Sequence, residues 1–184
     1  YHINNEDSPT FASKGWKFNL NGKYILPVIT LDDGSRMGSS IVIKADLDVS
    51  AAIGRKNSLK FGATAGSSLQ DRQPPLSYKF FVGGQSNMFY FDNIISFDGL
   101  RFTQLYGDHI ALAKIAWQYN IYKFIYAIAN INGGYVNDNY AEMFTDNSFV
   151  FGCGLTIGFD TKAGPIELSI SGSNRCSNPV GFVN

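Results

Sequence analysis

The sequence predicts an all-β fold: an antiparallel transmembrane β-barrel of the outer-membrane type, with about eight strands and the final strand truncated. Three observations carry this reading. Seven long segments alternate apolar and polar residues with a period of two. Charged residues are 16% of the chain, aromatics 15%, and glycines number 19, which is poorer in charge than the roughly 25% of a soluble domain. Short and long connections alternate between the segments, as they do where tight turns lie on one side of a membrane and long loops on the other.

The elements follow in order. In the first, Trp16, Phe18, Leu20, Tyr24 and Leu26 share a face opposite Lys17, Asn19, Asn21 and Lys23. The second sets Ile41, Ile43, Ala45, Leu47, Val49, Ala51 and Ile53 against Ser40, Lys44, Asp46, Asp48 and Ser50. The third sets Leu59, Phe61, Ala63 and Ala65 against Lys60, Gly62, Thr64 and Gly66. The fourth opposes Ala111, Ala113, Ile115, Trp117, Tyr119 and Ile121 to Lys114, Gln118 and Asn120, and the fifth opposes Ile125, Ala127, Ala129 and Ile131 to Tyr126, Asn130 and Asn132. The sixth alternates from Phe149 to Asp160, and the seventh from Ile166 to Ser171. An eighth is expected near Val180. Most segments reach the ~9–11 residues that a tilted strand needs to cross a bilayer, beyond the ~5–6 of soluble strands. Glycines on the polar face suit a crowded lumen, and aromatics near strand ends suit the membrane interface. No apolar run approaches the ~18 residues of a spanning helix.

Tight hairpins are expected at Gly54–Asn57, Tyr122–Lys123 and Thr161–Gly164, and long loops at Pro27–Gly38, Gln70–Asp108 and Asn137–Asn147. This sorting puts both chain ends in the periplasm. It divides the chain into a periplasmic entry segment, 1–13, and a barrel domain, 14–184, with the long inserted loop 70–108. A barrel reaches the outer membrane by secretion, so a chain starting at Tyr1 without a signal peptide reads as a mature or excised piece.

Net charge is zero with a pI near 6.9, so the basic stripe of a nucleic-acid-binding protein is absent. The two cysteines, Cys153 and Cys176, are too few for a disulfide framework. Counting out from the last hairpin puts Gly172 or Ser173 opposite Cys153, about three residues from Cys176, so free thiols are expected. Catalysis finds no support. Gly84-Gln85-Ser86-Asn87-Met88 lacks the second glycine of a nucleophile elbow. His2 and His109 have no partner spacing, and Asp32-Asp33-Gly34 reads as a turn rather than a calcium loop. No enzyme activity, metal or cofactor is expected of this chain.

Several motifs together carry a resemblance. The entry Asp7-Ser8-Pro9-Thr10-Phe11-Ala12-Ser13-Lys14-Gly15, the segment Leu76-Ser77-Tyr78-Lys79-Phe80-Phe81-Val82-Gly83-Gly84, and Gly99-Leu100-Arg101-Phe102 occur in an ordered series. Asn132-Gly133-Gly134-Tyr135, Gly152-Cys153-Gly154-Leu155 and Ala163-Gly164-Pro165-Ile166-Glu167-Leu168-Ser169-Ile170 continue it. The series resembles the C-terminal half of the BamA/TamA-like surface-antigen barrels, nearest to the barrels that end bacterial patatin-like phospholipases. The resemblance implies an outer-membrane domain that anchors, assembles or translocates an attached N-terminal passenger, a patatin-like phospholipase domain. It implies that Gly83, Gly84, Gly99, Arg101 and Phe102 are the motif residues of the long loop.

Two readings of Arg101 stand: a solvated loop arginine, or a guanidinium folded into the lumen against Asp46, Asp48, Asp160 or Glu167. Lys17, Lys23, Lys44, Asp46, Asp48, Lys60 and Lys114 have two readings, an ion path or pairing across a filled lumen, and an interior just filled by side chains favours the second. The loop also carries Phe80, Phe81, Phe89, Tyr90, Phe91, Ile94, Ile95, Phe97 and Phe102, too apolar for water. An eight-strand barrel has no room for it. It is therefore expected over the mouth, against a partner, or in a larger barrel shared by a homodimer. The expected partners are outer-membrane lipid, a second copy and the passenger, and no nucleic acid. The alternative function is a soluble lipocalin-like ligand carrier, which requires an apolar lumen.

Overall fold

The computed structural model describes residues 1–8, 11–26, 39–70, 78–85, 91–161 and 164–183. The expected loop 27–38 with its Asp32-Asp33-Gly34 turn lies outside them, as do Pro9, Thr10, Leu76, Ser77, the stretch 86–90 with Phe89 and Tyr90, and Ala163.

The strands are β1 (His2–Asn4), β2 (Gly15–Ile25), β3 (Ser40–Ala52), β4 (Asn57–Gln70), β5 (Phe80–Val82), β6 (Ile94–Ile95), β7 (Leu105–Gly107), β8 (His109–Tyr122), β9 (Ile125–Asn137), β10 (Phe149–Thr161), β11 (Gly164–Ser173) and β12 (Cys176–Val183). Nine form one antiparallel sheet in the order β1-β2-β3-β4-β8-β9-β10-β11-β12, and three form a small sheet in the order β6-β5-β7. The fold is therefore all-β, but two expectations are corrected. The described strands number twelve rather than about eight, because the long loop folds into strands of its own and a short strand precedes β2. The large sheet is an open trough rather than a closed barrel, since β12 and β1 do not pair among the described residues. The trough curls far enough for the loop to touch both flanks: Asp92 reaches Lys23 of β2, and Gln85 reaches Ser169 of β11.

The trough is inside-out relative to a soluble protein. Its outer face presents Ile115, Trp117, Phe151, Leu155 and Ile170, with Leu155 61% exposed, while the polar Gln118, Asn130, Thr156 and Ser171 are covered on the inner face. Alternation fixes this directly, because successive side chains of a strand point to opposite faces. Lipid is the solvent that accepts such an outer face.

The loop fills the inner face. Phe80, Val82, Ile95, Phe97 and Leu100 of the loop pack on Ile110 and Leu112 of β8 and Val150 of β10, forming the apolar core. Gly66 leaves the room for one of these rings; a Cβ there would lie 2.7 Å from Phe80. The loop thus lies within the trough, against the chain's own wall, rather than over its mouth.

The sorting of connections is looser than expected. The β8–β9 link is Lys123 and Phe124, but β11 and β12 are joined on the long-loop side by Asn174 and Arg175 alone. On the short-turn side β1 and β2 are separated by residues 5–14, of which Phe11 and Ala12 are buried, with Phe11 stacked on Tyr126 over Gly158. The entry segment 1–13 thus contains a strand, His2–Asn4, and among its described residues two buried ones, Phe11 and Ala12. Cys153 stands opposite Gly172, and Cys176 opposite Ser173; both thiols are free.

Candidate functional site at the loop–wall contact

The loop is shaped by its own short sheet. β5 pairs antiparallel with β7 and parallel with β6, and Gly84 bridges to Phe97. Gly83 and Gly84 take φ of 135° and 79°, a region that L side chains avoid. Gly83 also needs to be bare, because a Cβ there would sit 2.1 Å from the Arg101 carbonyl oxygen. Asp98 and Gly99 form the turn that meets the wall, bracketed by Gly84, which accepts from the Phe97 N–H and donates to the Leu100 carbonyl.

Contact with the wall is backbone on backbone. A Cβ on Gly99 would lie 2.2 Å from the Gly172 carbonyl oxygen, and one on Gly152 would lie 2.0 Å from the Asp98 carbonyl oxygen. The Ser173 hydroxyl donates to the Gly99 carbonyl at 2.8 Å. At this depth Asp98 is 1% exposed. A carboxylate so far from water needs partners, and it has them. Lys114 Nζ of β8 lies 2.8 Å from Oδ2, and Gln85 Nε2 donates to Oδ1 at 2.7 Å. Gln85 is itself held by the Ser169 hydroxyl. With its amide turned to suit both neighbours, Asn132 accepts from the Asp98 N–H and donates to the Gly152 carbonyl, each at 2.7 Å.

The loop therefore supplies the acid and the wall supplies the base. Arg101 does not take part in this contact. It is exposed, and among the described residues its side chain has no ion pair; its backbone N–H donates to Gln104 Oε1 at 2.8 Å. Phe102 beside it is 46% exposed.

The expected lumen residues divide. Lys44 pairs with Asp46 at 3.1 Å, and Asp46 also accepts from Thr64 at 2.9 Å and Asn19 at 3.3 Å. Asp48 and Glu167 line, with Lys60 and Lys114, a polar chamber of about 550 Å³ beneath the loop. Asp160 is exposed at the short-turn end of β10, away from that cluster. Sequence reasoning missed Asp98 and Gln85. The signal available was the acid-glycine step Asp98-Gly99, set against the inward-facing pair Lys114 and Asn132, which stand opposite each other on β8 and β9.

Charge also ties the loop at its ends. Asp92 lies 2.9 Å from Lys23, and that ammonium holds its carboxyl below the ordinary carboxylate range. Lys79 stands between Asp138 at 2.7 Å and Asp108 at 3.4 Å. Partial burial favours its neutral amine, but the two carboxylates outweigh this and hold the ammonium above its usual value.

An apolar outer face, a polar inner face and a loop bound within define a class: the wall of an outer-membrane β-barrel protein occupied by its own loop. The model of the OMP85 superfamily matches residues 2–184, and the chain belongs to that superfamily. Comparison with curated proteins returns no match. Membership places the chain in the bacterial outer membrane, among domains of assembly and transport that are generally not enzymes.

Proposed function

We propose that this chain forms part of an outer-membrane barrel that anchors, assembles or translocates an attached N-terminal passenger, with the loop locked to the wall by Asp98 and Lys114. The observation that carries the reading is the inside-out trough filled by its own loop. The resemblance supports a patatin-like phospholipase as passenger. The end of β12 lies on the periplasmic side and the connection 138–148 outside the cell, while β1, antiparallel to β2, sets Tyr1 beside Leu20 partway along that strand. A soluble carrier has the opposite polarity: it needs a polar outer face, whereas Trp117, Leu155 and Ile170 are exposed on this one, and the chamber within carries Lys60, Lys114, Asp48, Asp98 and Glu167 among its lining. Free edges of a sheet are not tolerated in lipid, so further strands cover β12 and the β1–β2 flank. In the homodimer reading a second copy supplies them, and the mass of the cross-linked species in detergent decides it.

The test uses the full protein in a Gram-negative host. An epitope placed after Asn139 is stained on intact cells, and passenger exposure is scored in wild type, Asp98→Lys and Asp98→Lys/Lys114→Asp. The reading expects a detergent-extracted protein, a stained epitope, loss of passenger exposure in the single variant and recovery in the double. A protein in the soluble fraction, or an epitope stained only after permeabilisation, overturns it.

A further inference from the structure

Lys114 of β8 and Asn132 of β9 stand directly opposite each other on the inner face of the wall. The Cβ atoms of such a pair lie about 4.5–5.5 Å apart, a gap that the flexible stem of a lysine can span. Both side chains end on one residue. The Lys114 ammonium lies 2.8 Å from Asp98 Oδ2, and the Asn132 carbonyl oxygen accepts from the Asp98 N–H at 2.7 Å. The Asn132 nitrogen points away and donates to the Gly152 carbonyl. The surroundings are largely dry. Asp98 and Asn132 are buried, Phe97 and Leu100 are buried beside the acid in the loop, and Leu112 and Ala116 are buried on either side of Lys114 along its face of β8. Lys114 keeps an open side toward the chamber. A charge lock needs the amine and the carboxylate alone. The structure adds a carboxamide whose oxygen is held by an N–H, in register with the amine.

We propose that Lys114 and Asn132 join in an isopeptide bond, with Asp98 carrying the protons, and that the Lys114–Asp98 ion pair is the reactant state. The Asp98 carboxylate takes a proton from the Lys114 ammonium, which frees the Nζ lone pair. Nζ adds to Cγ of Asn132, and the carbonyl electrons move onto the oxygen, which already faces the Asp98 N–H. The Asp98 carboxyl gives its proton to the Asn132 nitrogen and takes one from Nζ. The Cγ–Nδ2 bond then breaks and ammonia leaves through the chamber. Nothing is oxidised or reduced. The products are one amide, one ammonia and a protonated Asp98, so no unpaired charge is left buried. Holding the three groups together replaces an encounter in solution, which is where most of the acceleration arises. The bond staples β8 to β9 beneath the loop. Lys44 and Asn21 also stand opposite each other, but the acid beside that lysine, Asp46, is more open, and the Asn21 nitrogen is engaged by Asp92. No bond is expected there.

The test is the intact mass of the full protein in detergent, followed with time after folding, with a protease digest of the same samples. The wild type is expected to lose the mass of one ammonia and to yield a branched peptide linking Lys114 to Asn132. Lys114→Arg, Asn132→Ala and Asp98→Asn are each expected to lose nothing over the same period. Only variants that still migrate as heat-modifiable barrels are scored, and Lys114→Arg keeps the charge that faces Asp98. An unchanged wild-type mass overturns the proposal. So does a loss of ammonia that persists in Lys114→Arg, because that marks ring closure of Asn132 onto the Gly133 amide. Loss at an equal rate in Asp98→Asn overturns it as well. The outcome is independent of whether a passenger is displayed.

Discussion

Removing either partner of the Asp98–Lys114 pair is expected to have unequal consequences, and the inequality follows from burial. The carboxylate is 1% exposed, whereas the Lys114 side chain is 40% exposed toward the chamber. Lys114→Met leaves a buried carboxylate whose remaining side-chain partner is the Gln85 amide. Breaking a buried ion pair in this way costs about 3–5 kcal/mol. Asp98→Asn keeps the shape and the Gln85 contact, and the released ammonium turns to chamber water. That cost is about 1.5–3 kcal/mol, the range for a bond to a charged group. The double variant Asp98→Asn/Lys114→Met removes both charges and is expected to be more stable than Lys114→Met alone. The assay is urea denaturation in detergent, read by limited proteolysis of the loop so that local release is seen apart from unfolding of the sheet. The reasoning fails if Asp98→Asn is the worse single variant, or if the two costs simply add, because groups in contact couple by about 0.5–3 kcal/mol.

Four further outcomes are expected. Gly152→Ala drives a methyl into the Asp98 carbonyl, 2.0 Å from the Cβ position, and should release the loop to protease at a cost of about 1–3 kcal/mol; an unchanged digestion pattern would contradict the close approach. Arg101→Ala should leave loop protection within about 0.5 kcal/mol of wild type, the usual range for a surface change, and a larger loss in the same assay would show an unseen partner. Leu47→Arg on the outer face should impair insertion into vesicles by about 2–4 kcal/mol, whereas Lys44→Arg on the inner face should not; equal yields of heat-modifiable protein would reverse the face assignment. Asp7 is held below the ordinary carboxylate range, chiefly by the Ser13 hydroxyl. Its hold on the Ser13 amide, the Ser13 hydroxyl and the Lys14 amide is present above the unfolded value and is lost as the pH falls through the lower folded one. An NMR titration of the Ser13 amide should therefore show its transition below about pH 4, and a midpoint at or above that value would refute the assignment.

Much of the wall was legible. Period-two alternation located each long strand within a few residues and assigned its faces, because a pleated strand must place neighbouring side chains on opposite sides. β1 and β5–β7 were not legible. Three residues such as His2–Asn4 carry no period, and β5, β6 and β7 are likewise only two or three residues long, too short for alternation to show. Asp98 was passed over for Arg101 because a family motif weights residue type, whereas burial depends on which of two loop charges the turn at Asp98 and Gly99 points inward.

The sequence by itself determined an all-β chain with a lipid-facing side, a polar side, free thiols out of register and an inserted loop too apolar for water. These properties are local, set by side-chain alternation and composition within single strands. Only the tertiary structure decided that the sheet stays open as a trough, that the loop lies inside it, that Asp98 and Lys114 make the contact, and that Phe11 seats over Gly158. Each of these joins residues distant along the chain. Each depends on where backbone meets backbone with no side chain between, as Gly99 meets Gly172 and Gly152 meets Asp98. The spacing of glycines along a chain does not reveal which backbone each one will touch.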